Sequence, residues 1–162
     1  MDAATFTRAA EGYAGRLYAV AYRMLGHRAD AEDTVQRALL KCFAARASYS
    51  PRWAVSTWLY RALANVCIDE LRRRRRAVLP AVEPGRARER PVERVDLLRA
   101  LERVPREARL LLALHFVDGL SHRELAAIRG ISVNTVKSQL ARGKAILGRA
   151  LAAQEGGQDG PA

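Results

Sequence analysis

Between Ser121 and Leu147 the chain places two helix starts with a glycine between them, a pattern that favours two short helices joined by a tight turn. Ser121 and Glu124 form S-x-x-E, in which each side chain satisfies a free backbone donor at a helix start. Leu125 and Ile128 supply an apolar side, Gly130 permits the left-handed turn that stops the helix, and Ser132 is placed to cap the next one. Val133, Val136, Leu140, Gly143, Leu147 and Ala150 then recur at steps of three or four, so one stripe is committed to packing. Asn134, Lys137, Ser138, Ala141, Arg142 and Arg149 fall on the other side. A major groove accepts such a helix, and amide, lysine and arginine heads match its base edges and phosphates. This is helix-turn-helix grammar. An ordinary capped hairpin with a solvated charged face would read the same segment without nucleic acid.

The rest of the chain weighs against that plainer reading. At 162 residues there is room for one ordinary domain or two small helical ones. A hydrophobic content of 49% argues against wholesale disorder, and a net charge of +11 calls for a polyanionic partner, nucleic acid or an acidic membrane surface. Cation excess is densest between residues 51 and 76, with seven Lys and Arg against two Asp and Glu. Cys42 and Cys67 lie in apolar helical patterns with no Cys or His at ligand spacing, so buried free thiols are expected rather than a metal site or disulfide. Met1 to Arg8 has no secretory pattern, and the apolar stretch from Leu110 to Val117 is far below the roughly 20 residues of a membrane span. A cytoplasmic protein without membrane insertion, metal or cofactor is expected.

Helical stripes organise the chain into two parts. Phe6, Ala9, Tyr13, Leu17, Val20 and Met24 trace one that ends at Gly26. Val35, Leu39, Cys42, Phe43 and Arg46 trace a second behind an expected Asp30 cap, and Val55, Leu59, Ala62, Leu63, Val66 and Leu71 trace a third that runs into Arg72 to Arg76. These three helices can enclose one core. Pro80, Pro84, Gly85 and Pro91 mark residues 77–91 as a flexible linker. A further pattern through Val95, Leu98 and Leu101 breaks at Pro105, resumes at Leu111, Leu114 and Val117, and leads into the helix-turn-helix. The expectation is an all-α fold of two small helical domains, 1–76 and 92–153, with a disordered tail over 154–162. Fully stretched, such a linker reaches about 50 Å, so both parts could touch one duplex at separate places and reinforce each other.

Aromatic residues gather where the cations do. Tyr49, Trp53, Trp58 and Tyr60 are interleaved with Arg52 and followed by Arg61. Rings beside guanidinium groups suit unpaired bases, which stack while their phosphates meet the cations. Trp58 lies at the edge of the apolar stripe and is assigned mainly to the core, whereas Tyr49, Ser50, Arg52 and Trp53 precede the helix and are better placed to form a pocket. Asp30, Glu32, Asp33 and Gln36 make an acidic, amide-bearing surface that chemistry alone reads as a solvated helix start.

Four ordered motifs change that reading. Asp30-Ala31-Glu32-Asp33-x-x-Gln36, Thr57-Trp58-Leu59-Tyr60-Arg61-x-x-x-Asn65, Asp69-x-Leu71-Arg72-Arg73, and Gly119-Leu120-Ser121 through Thr135-Val136-Lys137-Ser138 resemble an extracytoplasmic-function sigma factor of bacteria over about residues 5–152. The resemblance implies a non-enzymatic subunit of RNA polymerase that directs the core enzyme to promoters and helps to open them. Its first half would be region 2, a three-helix bundle for the clamp helices and the minus-10 element. Its second would be region 4, for the flap and the minus-35 element. No region 1.1 or region 3 is apparent.

By this similarity Asp33, Gln36, Arg37 and Leu40 would meet the clamp helices. Ser48, Tyr49, Ser50, Arg52 and Trp53 would capture a base extruded from the non-template strand, with Arg61, Asn65, Arg72 and Arg73 on the same strand. Asn134, Lys137, Ser138, Ala141 and Arg142 would face the minus-35 groove. An anti-sigma partner is typical of the family. Arg37 departs from a usual acidic residue, and Gln139 and Gly143 from a usual arginine and alanine. The rival reading is a helix-turn-helix regulator acting without polymerase, which leaves the aromatic pocket and the Asp33/Gln36 surface unassigned. Catalysis through His27, Asp30 and Asp33, or through His115 and His122, finds no ligand or triad spacing.

Overall fold

A computed structural model describes residues 1–77 and 92–157, with helix 92–95 described by its backbone alone. The expected linker 77–91 lies outside the described residues apart from Ala77, as do residues 158–162 of the expected tail. Among the described residues the structure is helical throughout: α1 (Ala3–Leu25), α2 (Arg28–Ala44), a single 3-10 turn (Arg46–Ser48), α3 (Val55–Arg76), α4 (Val92–Glu102), α5 (Arg106–Asp118), α6 (His122–Arg129) and α7 (Val133–Gly156).

Local chemistry sets most of the boundaries. Asp2 caps α1 by accepting from the Thr5 amide at 2.7 Å, and Gly26 ends it at φ 75°, a left-handed conformation that glycine adopts without Cβ strain. Asp30 is not the cap of α2. His27 occupies that position without a side-chain bond, and Asp30 sits within the first turn, where the helix dipole favours a carboxylate. The α3 helix continues through the whole arginine run to Arg76. Pro105 precedes α5, where a residue without an amide hydrogen leaves nothing unsatisfied. The capping box at α6 is complete: Ser121 Oγ accepts from the Glu124 amide at 3.2 Å, and Glu124 Oε2 accepts from the Ser121 amide at 2.7 Å. Gly130 turns at φ 64°, and Ser132 caps α7 at Thr135. That last helix runs to Gly156, past the Gln154 at which the tail was expected to begin.

Helices α1, α2 and α3 pack on one another, and α7 packs on α4, α5 and α6. The two groups also meet, α1 against α5 and α3 against α6, so that one continuous core runs from Phe6 through Leu17, Leu63 and Leu111 to Val136 and Leu140. Fully burying a leucine or valine stabilises a fold by roughly 1.5–3 kcal/mol, and Leu17, Val20, Leu63, Leu110, Leu111 and Val136 have no exposed surface. Of the stripe expected on α7, Val136, Leu140, Gly143 and Ala150 are buried, while Val133 and Leu147 are half-buried. Both cysteines are buried and free, and burial pushes the Cys42 thiol up to about 11 and the Cys67 thiol up to about 12.

Candidate nucleic-acid interface

The first candidate surface forms where the chain enters α3. Tyr49 donates its hydroxyl to the Trp53 carbonyl at 2.6 Å, and the Trp53 amide donates to the Ser50 carbonyl at 3.2 Å, which closes residues 49–53 into a compact loop. The Tyr49 ring leans on Trp58 at 5.1 Å, and Trp58 meets Phe6 edge-on at 6.1 Å. Trp58 is therefore half-buried and anchors the loop to the core. Trp53 points outward, 43% exposed, with the Arg61 guanidinium over one face of its ring at 4.9 Å. That pair offers an apolar plane and a cation side by side. Ser48, Ser50 and Arg52 are exposed around it, and Asn65 lies one turn further along α3.

The arginines at the end of α3 are less free than their number suggests. Glu70 is buried, 7% exposed at its side chain, and gathers three of the chain's cations. Arg73 grips it with Nε at 3.1 Å and Nη2 at 2.7 Å, and Arg74 and Arg37 each approach at 3.4 Å. The Arg73 bonds hold the Glu70 carboxyl below its usual range against the opposing effect of burial. Arg74 also donates to Asp30 and to the Leu25 carbonyl. Arg72 faces Asp69 at 3.9 Å. The Glu70 hub was not anticipated from sequence, although Arg73 and Arg74 stand three and four residues after it, the spacing at which helical side chains meet.

On α2, Asp33, Gln36, Arg37 and Leu40 are all exposed, with Leu40 at 67%. Arg37 bonds Asp33 at 2.9 Å, so the cation that departs from the usual acidic residue is tied to its own helix and to Glu70. Gln36 and Leu40 border an apolar hollow with Phe6, Leu39 and Phe43.

The second candidate surface is the outer face of α7. Asn134, Lys137, Ser138, Ala141, Arg142 and Arg149 are all exposed, and among the described residues none of the three cations there has an ion-pair partner. Ser138 turns its hydroxyl back onto the Asn134 carbonyl at 3.0 Å. Gly143 faces the other way. A Cβ there would lie 2.9 Å from Leu112 Cδ1 and 3.2 Å from the Ala108 Cβ, so the missing side chain lets α7 settle onto α5. Gln139 is half-buried beside this seam.

The histidines form no catalytic arrangement among the described residues. His115 donates from Nδ1 to the Leu120 carbonyl at 2.7 Å, its ring lies 5.4 Å from that of His122, and no group of side chains suited to hold a metal ion occurs among the described residues. No described helix is long and apolar enough to cross a membrane.

These surfaces coincide with known families. The model of Sigma-70 region 2 matches residues 9–77, and that of Sigma-70, region 4 matches residues 94–147. The ECF RNA polymerase sigma factor EcfG of Rhodopseudomonas palustris is 32% identical over 152 residues, which cover 88% of this chain and 82% of EcfG. The chain belongs to the ECF sigma factors. Within that family, SigE of Mycolicibacterium smegmatis is 33% identical over 82% of this chain, and the chain spans just over half of SigE, 56% of its length. The sigma factor RpoE in complex with the anti-sigma factor NepR from Bartonella quintana has the same fold, with a TM-score of 0.74 at 25% identity over 91% of this chain and 97% of that one. In this sigma factor the region-2 match spans α1 to α3 and the region-4 match spans α4 to most of α7.

Proposed function

We propose that this ECF sigma factor binds core RNA polymerase in the cytoplasm, recognises minus-10 and minus-35 promoter elements, and promotes strand opening without itself catalysing a reaction. The observation that carries the reading is Trp53, held outward under Arg61 by a loop that Tyr49 pins. A regulator that reads only intact duplex has no use for an exposed ring of this kind, whereas an unpaired base stacked on one gains about 1–3 kcal/mol. That gain offsets the few kcal/mol needed to unstack the base from the duplex.

In this reading Ser48, Tyr49, Ser50, Arg52 and Trp53 receive the flipped base, and Arg61, Asn65 and Arg72 follow the strand. Arg73 reaches a phosphate only with the Nη1 edge that Glu70 leaves unused. Asn134, Lys137, Ser138, Ala141 and Arg142 read the minus-35 duplex. Asp33, Gln36, Arg37 and Leu40 receive the polymerase clamp, with Leu40 and the neighbouring hollow as the apolar part of that contact. The flap would be received by the region-4 half. An anti-sigma protein is the expected negative regulator, as NepR is found with RpoE. The domain limits proposed are 1–76 and 92–153.

Transcription in vitro with purified core polymerase on genomic fragments, followed by mapping of start sites, tests the assignment. Specific initiation that depends on this chain is expected. Trp53→Ala should impair initiation on duplex promoters at least tenfold more than on a pre-melted bubble; equal loss on both templates would argue against the stacking role. Selective operator binding without core enzyme, together with no specific initiation, would favour the self-sufficient regulator instead.

A further inference from the structure

Four arginines that belong to neither candidate DNA surface line one hollow. Arg75, near the end of α3, and Arg103, Arg106 and Arg109, around the corner between α4 and α5, border an open space of about 320 Å³ together with Glu102. Four guanidinium groups against one carboxylate leave a formal excess of three positive charges there. Arg75 and Arg103 are exposed and Arg106 is half-buried, and none of the three has a hydrogen-bond or ion-pair partner for its side chain among the described residues. Their neighbours in sequence are committed elsewhere. Arg73 and Arg74 are held by Glu70, and the Glu107 carboxylate, next to Arg106, is given to Arg129 of α6.

The fourth cation differs in kind. Arg109 is 9% exposed and donates only to backbone carbonyls, those of Met24 at 3.0 Å, Glu102 at 3.1 Å and Val104 at 3.0 and 3.3 Å. These bonds satisfy its donors without supplying a counter-charge. Burial works against its charge and nearby Arg74 adds to that, while Glu102 opposes them. Leu71, Val104 and Pro105 give the hollow an apolar wall, which limits screening by water and strengthens the field felt inside. The start of α5, where Pro105 brings no side-chain cap, adds the positive end of a helix to the same corner.

Guanidinium forks match phosphate oxygens in pairs, which a simple point charge does not. A hollow of this size lies at the lower end of small-ligand sites, which run from roughly 300 Å³ upward. Its uncompensated charge therefore suits an anion that carries several negative charges in a small volume. We propose that the corner between α3 and α5 binds a compact phosphate-bearing anion of the oligophosphate class, gripped by Arg75, Arg103 and Arg106, with Arg109 supplying a buried positive charge. The site uses no residue of the strand-binding or minus-35 surfaces, so it stands independently of the sigma-factor reading.

Isothermal titration calorimetry of the full chain with sodium tripolyphosphate at physiological ionic strength tests the site. One anion per chain is expected, and saturating tripolyphosphate should raise the thermal midpoint, since a ligand that binds only the folded state stabilises it. Arg75→Ala and Arg103→Ala each remove hydrogen bonds to a charged group and should weaken binding about tenfold or more. Both side chains are exposed, so the midpoint of the free protein should not change. Arg8→Ala removes the same charge from the exposed start of α1 and should leave the affinity unaltered. A short fluorescent DNA duplex is titrated alongside into each protein. No binding of tripolyphosphate would overturn the proposal. Equal weakening by all three variants would also overturn it, because general attraction to a chain of net charge +11 behaves in that way. Duplex binding that falls with Arg75→Ala and Arg103→Ala, without any binding of tripolyphosphate, would overturn it in favour of nucleic acid.

Discussion

The cationic end of α3 and the outer face of α7 look alike in the sequence, yet they differ in what their charges do. At the end of α3 a single buried carboxylate, Glu70, gathers Arg37, Arg73 and Arg74, and Asp30 takes a further bond from Arg74. On α7, Lys137, Arg142 and Arg149 meet no acidic partner among the described residues. The denser run of arginines is thus partly spent on holding α3 to α1 and α2, and the sparser set is the one left for a ligand. The number of cations in a segment measures its possible field, while burial of one counter-charge decides how much of that field reaches the solvent.

The largest effect should come from breaking the hub. Glu70→Ala removes the shared partner of three guanidinium groups, and because those groups keep access to water the cost is that of losing hydrogen bonds to a charged group, about 1.5–3 kcal/mol. Urea unfolding at neutral pH measures this. The pH dependence has a definite sign: the folded carboxyl is held below its usual 4.5, so the unfolded chain takes up the proton first. The stabilisation is complete above that value and is lost as the pH falls through the lowered folded value. Glu70→Gln should flatten this acid limb of the stability profile. An unchanged limb would mean that the hub contributes nothing to it.

On the other side of the comparison, Gly143→Ala probes the buried back of α7. Its Cβ meets Leu112 and Ala108 at distances that force one of them to move, and overpacking of this kind costs roughly 1–3 kcal/mol. Thermal unfolding should show the loss, with the outer face of α7 unaltered. Next in size is Arg142→Ala, which should leave stability unchanged and relax minus-35 choice by about 1–2 kcal/mol, or roughly tenfold between preferred and disfavoured sites. Unchanged preference would remove Arg142 from base reading. The smallest contrast is electrostatic. Lys137→Ala should lower the salt slope of promoter binding by about one, whereas Arg73→Ala should change it by clearly less because Glu70 already neutralises that cation. Equal changes would erase the distinction drawn between the two helices.

Helix boundaries were legible wherever short-range chemistry sets them. The capping box at Ser121, the turn at Gly130 and the Ser132 cap follow from residues within four positions of one another, and each has the geometry that those residues require. Asp30 was misplaced as a cap because a carboxylate two residues inside a helix start is favoured by the same dipole that favours one at the cap. Its partner, Arg74, stands far away in sequence and was not visible at that range. Tyr49, Ser50, Arg52 and Trp53 were nameable from aromatic and cationic spacing and the α7 face from helical periodicity, whereas Ser48, Asn65 and the Asp33, Gln36, Arg37 and Leu40 surface followed only from the family resemblance; the structure puts Trp53 with Arg61 and leaves the α7 face open. The hydrogen bond from Arg129 of α6 to the exposed Asn65 of α3 had no signal, since each residue reads as an ordinary polar position on its own helix.

By itself the sequence determined the helices, most of their capped ends and the apolar stripes, because these depend on periodicity and on contacts within a turn or two, while its ordered motifs carried the family. Only the tertiary structure decided which arginines are neutralised, why position 143 has no side chain, and how the two halves cover one another. Those outcomes depend on which distant groups share a buried space. Burial then sets the strength of every charge and hydrogen bond inside it.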